Sequence, residues 1–243
     1  MDAHERQFDK ELLGLKKKLL HMATLAEEMV ERAITELSER DERPTEAVLR
    51  AEEQVNRLQI EIDDEVVRLL ATRQPVASDL RLILAASKIN SELERIADLA
   101  VNITQNVHVL AQHPPLKPLM DIPRMEEFAR KMVREALDAF VRGDVLLAQA
   151  VIMTDDQVDA LKDQVFRELL TYMLSDPQTI ERALALILVA RHLERIADHA
   201  TNIAQDVIYH IQGRDVRHPK TPRGGPPEAA ASAPADPPHP SDA

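Results

Sequence analysis

Glu94 and Asp98 stand four residues apart, and one hundred positions later Glu194 and Asp198 repeat them. On a helix, residues four apart share a face one turn from each other, and like charges there repel by about 0.2–0.5 kcal/mol. Helix stability therefore does not ask for these pairs. Asn102 and Asn202 add an amide oxygen one turn further on, and Glu52 with Asn56 and Asp155 with Asp159 set out more oxygen donors at the same spacing. Oxygen donors pooled from adjacent helices suit hard or borderline cations. The plainer alternative is a solvated acidic face with salt bridges to Arg95 and Arg195, since charged residues are mostly exposed.

The acidic pairs belong to a longer repeat. Over positions 93–107 against 193–207, eleven of fifteen residues are identical, beginning with Leu93-Glu94-Arg95-Ile96-Ala97-Asp98. A repeat of this length signals a duplicated structural unit rather than a solenoid. With Leu93 at heptad position a and Ile96 at d, Glu94, Asp98 and Asn102 fall at b, f and c, which face outward. Packing accounts for the repeated Leu, Ile and Ala, but it has no purchase on the repeated Glu, Asp and Asn. A second alignment, offset by 103 residues, sets Glu52-Glu53-Gln54-Val55-Asn56 against Asp155-Asp156-Gln157-Val158-Asp159.

Long helices must position these residues. Prolines at 44, 75, 114, 115, 118, 123 and 177 divide the body into six segments, because proline inside a helix removes a hydrogen bond and clashes with the preceding turn. The segments predict helices over about Phe8–Arg40, Thr45–Arg73, Ser78–Leu110, Arg124–Arg142, Asp144–Ser175 and Pro177–Gln212. Thr45 and Asp176 are the expected N-caps and Pro177 a first helical residue. Leu93, Ile96, Ala100, Ile103 and Val107, with their counterparts 100 residues on, step by threes and fours as an apolar seam. Short loops and such seams predict an all-α protein of two homologous antiparallel three-helix bundles, six long helices in all. The first bundle is expected over residues 8–112, a linker over 113–123, the second bundle over 124–212 and a Pro/Ala-rich disordered tail over 213–243.

Composition narrows the function. Cysteine is absent, which excludes thiolate metal sites and disulfides. The net charge is −12, and because residues 213–243 hold four basic and four acidic residues, the excess lies on residues 1–212. Nucleic acid is then a poor partner, since phosphate binding needs a basic stripe. The N-terminus has no leader pattern, and no stretch approaches the roughly eighteen apolar residues of a membrane span, so a soluble cytoplasmic protein is expected. His192 and His199 flank the second motif but correspond to Glu92 and Leu99 in the first copy, which reads as surface histidines or else as auxiliary ligands or hydrogen-bond partners. Asp79 and Arg81 read as a helix-start cap and its pair, and Met22, Met29, Met125, Met132 and Met173 as core.

The duplicated Glu-Arg-Ile-Ala-Asp segments, with Arg73-Gln74-Pro75 and Ser78-Asp79-Leu80-Arg81 before the first and Gly213-Arg214-Asp215-Val216-Arg217-His218 after the second, resemble the PhoU family of phosphate-uptake regulators over about residues 8–218. The resemblance implies metal binding by Glu94, Asp98, Glu194, Asp198, Asp155 and Asp159, with Glu52 in a first patch; Asn102 and Asn202, from their repetition, read as metal neighbours or as polar outer-face residues. The ions would be divalent or trivalent (iron, zinc, magnesium or manganese), in multinuclear sites. It further implies a noncatalytic negative regulator of phosphate uptake and of the phosphate-starvation response. Its partners would be the ATPase component of a phosphate-specific ABC transporter and a phosphate-sensing membrane histidine kinase, with no membrane insertion; a homodimer is expected. Asn56 stands where the fully acidic motif would have Asp, so the first patch is one charge short and the second is the expected stronger metal site. The alternatives are a carboxylate-ligated metalloenzyme and a metal-buffering protein. Against the enzyme, ferritin-like sites use Glu-x-x-His pairs turned into a bundle core, and this chain has no Glu-x-x-His.

Overall fold

The computed structural model describes residues 3–39 and 44–217. Every regular element among them is helical: α1 Ala3–Glu39, α2 Pro44–Arg73, α3 Ala77–Ala111, α4 Asp121–Arg142, α5 Val145–Ser175 and α6 Ile180–Gln212, with one 3-10 turn at Pro177–Thr179. α1 begins at Ala3, ahead of the expected Phe8, and two further boundaries move for local reasons. Proline is tolerated in a first turn, where its missing N–H would have had no partner. Pro44 therefore opens α2, putting Thr45 inside the helix rather than at its cap, and Pro123 sits in the first turn of α4 rather than in the linker. Asp176 does cap: its carboxylate accepts from the Gln178 N–H at 2.9 Å, and Pro177 opens the 3-10 turn.

The first three helices pack on one another, as do the last three, and the two bundles meet along α3–α6 and α1–α4. Both contacts are antiparallel. Along one seam Lys88 meets Asp206 at 3.0 Å and Arg81 reaches the His210 carbonyl at 3.0 Å. Along the other Glu27 meets Arg134 at 2.8 Å and Glu31 meets Arg130 at 2.9 Å. Arg81 thus caps the far end of α6, where carbonyls lack helical partners and a cation is favoured, rather than pairing at its own helix start. Leu93, Ile96, Ala100 and Ile103 and their counterparts Leu193, Ile196, Ala200 and Ile203 are fully buried. They belong to one hydrophobic cluster that runs through both bundles. Met22, Met29, Met125 and Met132 are fully buried within it and Met173 packs at its edge. Of the expected tail, residues 213–217 are described, Gly213 closing α6 at φ 64°; residues 218–243 lie outside the described residues. No helix among the described residues is long and apolar enough to cross a membrane.

Candidate functional site

The first carboxylate patch forms where α2 runs antiparallel to α3. The register is pinned by the buried Asn90, whose amide donates to the Gln59 carbonyl and to Asp63, both at 3.0 Å. That register brings Glu52 beside the Glu94–Asp98 face. Burial, then repulsion by Asp98 and Glu53, pushes the Glu52 carboxyl above its ordinary pKa. Burial and Asp98 likewise raise Glu94, with Arg95 opposing and Glu52 adding. Glu52 and Glu94 thus both lie close enough to Asp98 for its charge to disfavour theirs. Asn56 is exposed, and Asn102 is half-buried.

The second patch forms in the same way between α5 and α6. Asp155 is raised to about 6, by burial first and then by Asp198, Asp159, Asp156 and Glu194. Asp198 is raised by burial, Glu194 and Asp159. Here the structure adds Lys162, whose ammonium donates to Asp159 at 2.8 Å and to Glu194 at 3.1 Å. The hydrogen bond to Asp159 foremost, and that to Glu194, hold Lys162 above its ordinary pKa against the effect of burial. At the 103-residue offset Lys162 corresponds to Gln59. The charge missing at Asn56 is therefore offset on the other side: three carboxylates in the first patch carry the same formal charge as four carboxylates and one ammonium in the second.

Because α3 and α6 are antiparallel, the two motif copies lie at the same height on either side of their seam. A polar clasp joins them. His199 Nδ1 lies 2.5 Å from Glu92 Oε2, and the Asn202 amide donates to the same oxygen at 3.3 Å. Burial alone would raise Glu92, but the bonds from His199 and Asn202 outweigh it and hold the carboxyl below its ordinary pKa. Asn202 is thus turned across the seam to the first bundle, not outward beside Asp198, and His199 is half-buried rather than a surface histidine. His192 is half-buried too, and burial followed by Arg195 and Arg191 lowers its pKa.

The donors fit a hard or borderline cation in kind: oxygen ligands only, with carboxylates whose mutual repulsion a cation would relieve. Their placement is looser. Among the described residues no group of three or more His, Asp or Glu side chains is arranged to hold a metal ion. Closing either set on one would require carboxylate rotamers to turn inward and, in the second patch, Lys162 to give way.

The description of the PhoU domain matches the chain twice, over residues 19–107 and 122–207, once in each bundle and each time across one copy of the acidic motif. The chain belongs to the PhoU family. A PhoU homolog from Pseudomonas putida, a phosphate-specific transport system accessory protein, is 42% identical over 214 residues, 88% of this chain and 84% of that protein. PhoU of Escherichia coli (strain K12), of the same description, is 35% identical over 87% of this chain and 88% of its own length. The crystal structure of PhoU from Pseudomonas aeruginosa superposes with a TM-score of 0.82 at 41% identity, covering 85% of this chain and 100% of that one. The Streptococcus pneumoniae PhoU, described as a phosphate transport system regulatory protein, gives 0.78 at 26% identity, covering 86% and 99%.

Two residues of this PhoU-family site escape a reading confined to the acidic motifs. Lys162 follows Asp159 by three residues, within reach on one helix face, so its spacing carried a local signal. Glu92 carried a weaker one, its exchange for His192 in the second copy; only the tertiary fold sets it against His199.

Proposed function

We propose that the chain is a cytoplasmic accessory protein of a phosphate-specific ABC transport system. It acts as a noncatalytic negative regulator that links the transporter's ATPase component to a phosphate-sensing membrane histidine kinase. The reading rests on one observation above the rest: two mutually repelling carboxylate patches, duplicated with their scaffold and carried on either side of one helix seam. The relatives' role as phosphate-specific transport system accessory proteins supports it.

In this reading Glu52, Glu94 and Asp98 hold cation on the first bundle, and Asp155, Asp159, Glu194 and Asp198 on the second. A bound divalent or trivalent ion would cancel the repulsion within each patch and lock α2 to α3 and α5 to α6. Without it, Lys162 supplies part of that charge to the second patch. The patches work by neutralisation and rigidity rather than by bond chemistry, which suits a surface that partners recognise.

Deleting the gene in its native cell is expected to release phosphate-starvation genes at high external phosphate, and unchanged expression would refute the regulatory role. The metal assignment has its own test. Elemental analysis of the purified protein beside the variant Glu94→Ala, Asp98→Ala, Glu194→Ala, Asp198→Ala should show metal lost from the variant; equal content in both would return the motifs to solvated faces.

A further inference from the structure

The two carboxylate patches share a scaffold, so the residues that differ between them stand out. Three differences fall on one face of α5, three and four residues apart: Asp159, Lys162 and Asp163 correspond at the 103-residue offset to Asn56, Gln59 and Ile60 of α2. Such a set could serve α5 alone, because opposite charges at these spacings stabilise a helix slightly. The bond across to α6 is what that role leaves unexplained. Lys162 Nζ donates to Glu194 of the motif at 3.1 Å as well as to Asp159 at 2.8 Å. Two of the four carboxylates of the second patch are thus already engaged by a cation.

The first patch has no such cation. Among the described residues Glu52, Glu94 and Asp98 make no hydrogen bond or ion pair. Arg95 and Arg195 follow Glu94 and Glu194 in the two copies and so do not distinguish them. Lys162 also has an alternative position. Asp163 Oδ1 lies 3.9 Å from its Nζ, and a cavity of about 300 Å³ bordered by Lys162, Asp163, Phe166, Ala190 and Glu194 opens beside it. Asp155, Asp159 and Asp198 are not among its walls, so the cavity lies beyond the patch, further along α5. The flexible four-carbon stem of a lysine can carry its ammonium over such a distance. The cation and its second acidic neighbour occur together in one copy, and neither is in the other.

We propose that Lys162 is a displaceable, tethered cation that ranks the two patches, so that a divalent ion fills the first bundle before the second. This ranking rests on the metal-binding reading of both patches. An ion entering the second patch must take Asp159 and Glu194 from the ammonium, two charge-assisted bonds with no counterpart in the first. The ammonium then moves toward Asp163, from where it still repels the ion. Formal charge is equal in the two patches and does not reverse the order. The order is the opposite of the one that Asn56 alone suggests. One chain thereby has two thresholds: the first bundle loads at low cation concentration, and the second, balanced by its own lysine, answers only to a higher one.

The probe is manganese(II) alone, an ion suited to carboxylate ligands, titrated into the chelator-stripped full chain and counted by loss of the free-ion EPR signal. Wild type should show two classes of site, about tenfold or more apart in affinity. Glu94→Gln with Asp98→Asn should remove the tight class, and Glu194→Gln with Asp198→Asn the weak one. Lys162→Gln, which installs the first bundle's residue, should tighten the weak class about tenfold and leave the tight class unmoved. A lysine that merely ties α5 to α6 has the opposite effect, since its loss would loosen the second patch. Equal classes in the wild type, loss of the tight class in the Glu194 and Asp198 variant, or a weak class unmoved or weakened by Lys162→Gln would overturn the ranking and leave metal binding standing. No manganese bound by the wild type or by Lys162→Gln would instead remove the metal reading, and the ranking with it.

Discussion

At the residue scale, the carboxylates divide into those the fold neutralises and those it leaves in conflict. Glu11 of α1 is neutralised: Arg73 bonds it at 2.7 and 2.9 Å and, with Arg68, holds it at about 2 against an ordinary 4.5. A depressed carboxyl contributes stability above its unfolded pKa and loses it as pH falls through the folded value. Glu11→Gln should therefore lower the melting temperature at pH 7, less so below pH 4.5 and hardly at all once pH falls through about 2, as thermal scans across that range would report. Asp155 is in conflict, hemmed by Asp198, Asp159 and Asp156. In protein stripped of divalent cations at pH 8, Asp155→Asn should raise the melting temperature by about 2 °C while lowering metal uptake. A fall in melting temperature would mean that Asp155 is held by an attraction rather than strained by its neighbours. The repetition of Glu and Asp was visible in the chain, but Lys162 between Asp159 and Glu194 changes what the second patch is: a set of carboxylates with a built-in cation.

At the element scale, the helices followed from proline spacing and apolar period, and at the prolines they miss where a local rule has two solutions. Pro123 could end a linker or occupy a first turn, and only the packing of Met125 and Ala129 into the core decides for the turn. Helix ends carry the clearest prediction. Gly143 closes α4 at φ 68°, and a methyl group there would come within 3.1 Å of the Ile211 side chain of α6. Left-handed backbone costs an L-residue about 1–2 kcal/mol, so Gly143→Ala should destabilise the protein by about that much, read from urea midpoints at constant m. An unchanged midpoint would mean that the α4–α5 turn relaxes freely.

At the scale of the whole molecule, the two bundles share one core. The α3–α6 seam buries Leu93, Ile96, Leu193 and Ile196 within the same cluster that fills each half. It also holds Asp206, nearly buried, between Lys88 at 3.0 Å and Arg217 at 3.7 Å. Halves joined so closely cannot lose one core and keep the other intact. Calorimetry should show a single transition whose measured and van't Hoff enthalpies agree; two resolved transitions would mean that the bundles are independent domains.

By itself the sequence determined the helices, their seams, the duplication and the identity of the acidic residues, because each depends on local spacing: period 3.6, the exclusion of proline, and i to i+4 neighbours. Tertiary structure alone decided what those residues meet. The antiparallel crossing of α3 and α6 turned Asn202 and His199 toward Glu92 and sent Arg81 to the end of α6. It also brought the two patches to one height. Such pairings join residues about one hundred positions apart, and a helical period carries no information about which turn of a distant helix will lie alongside.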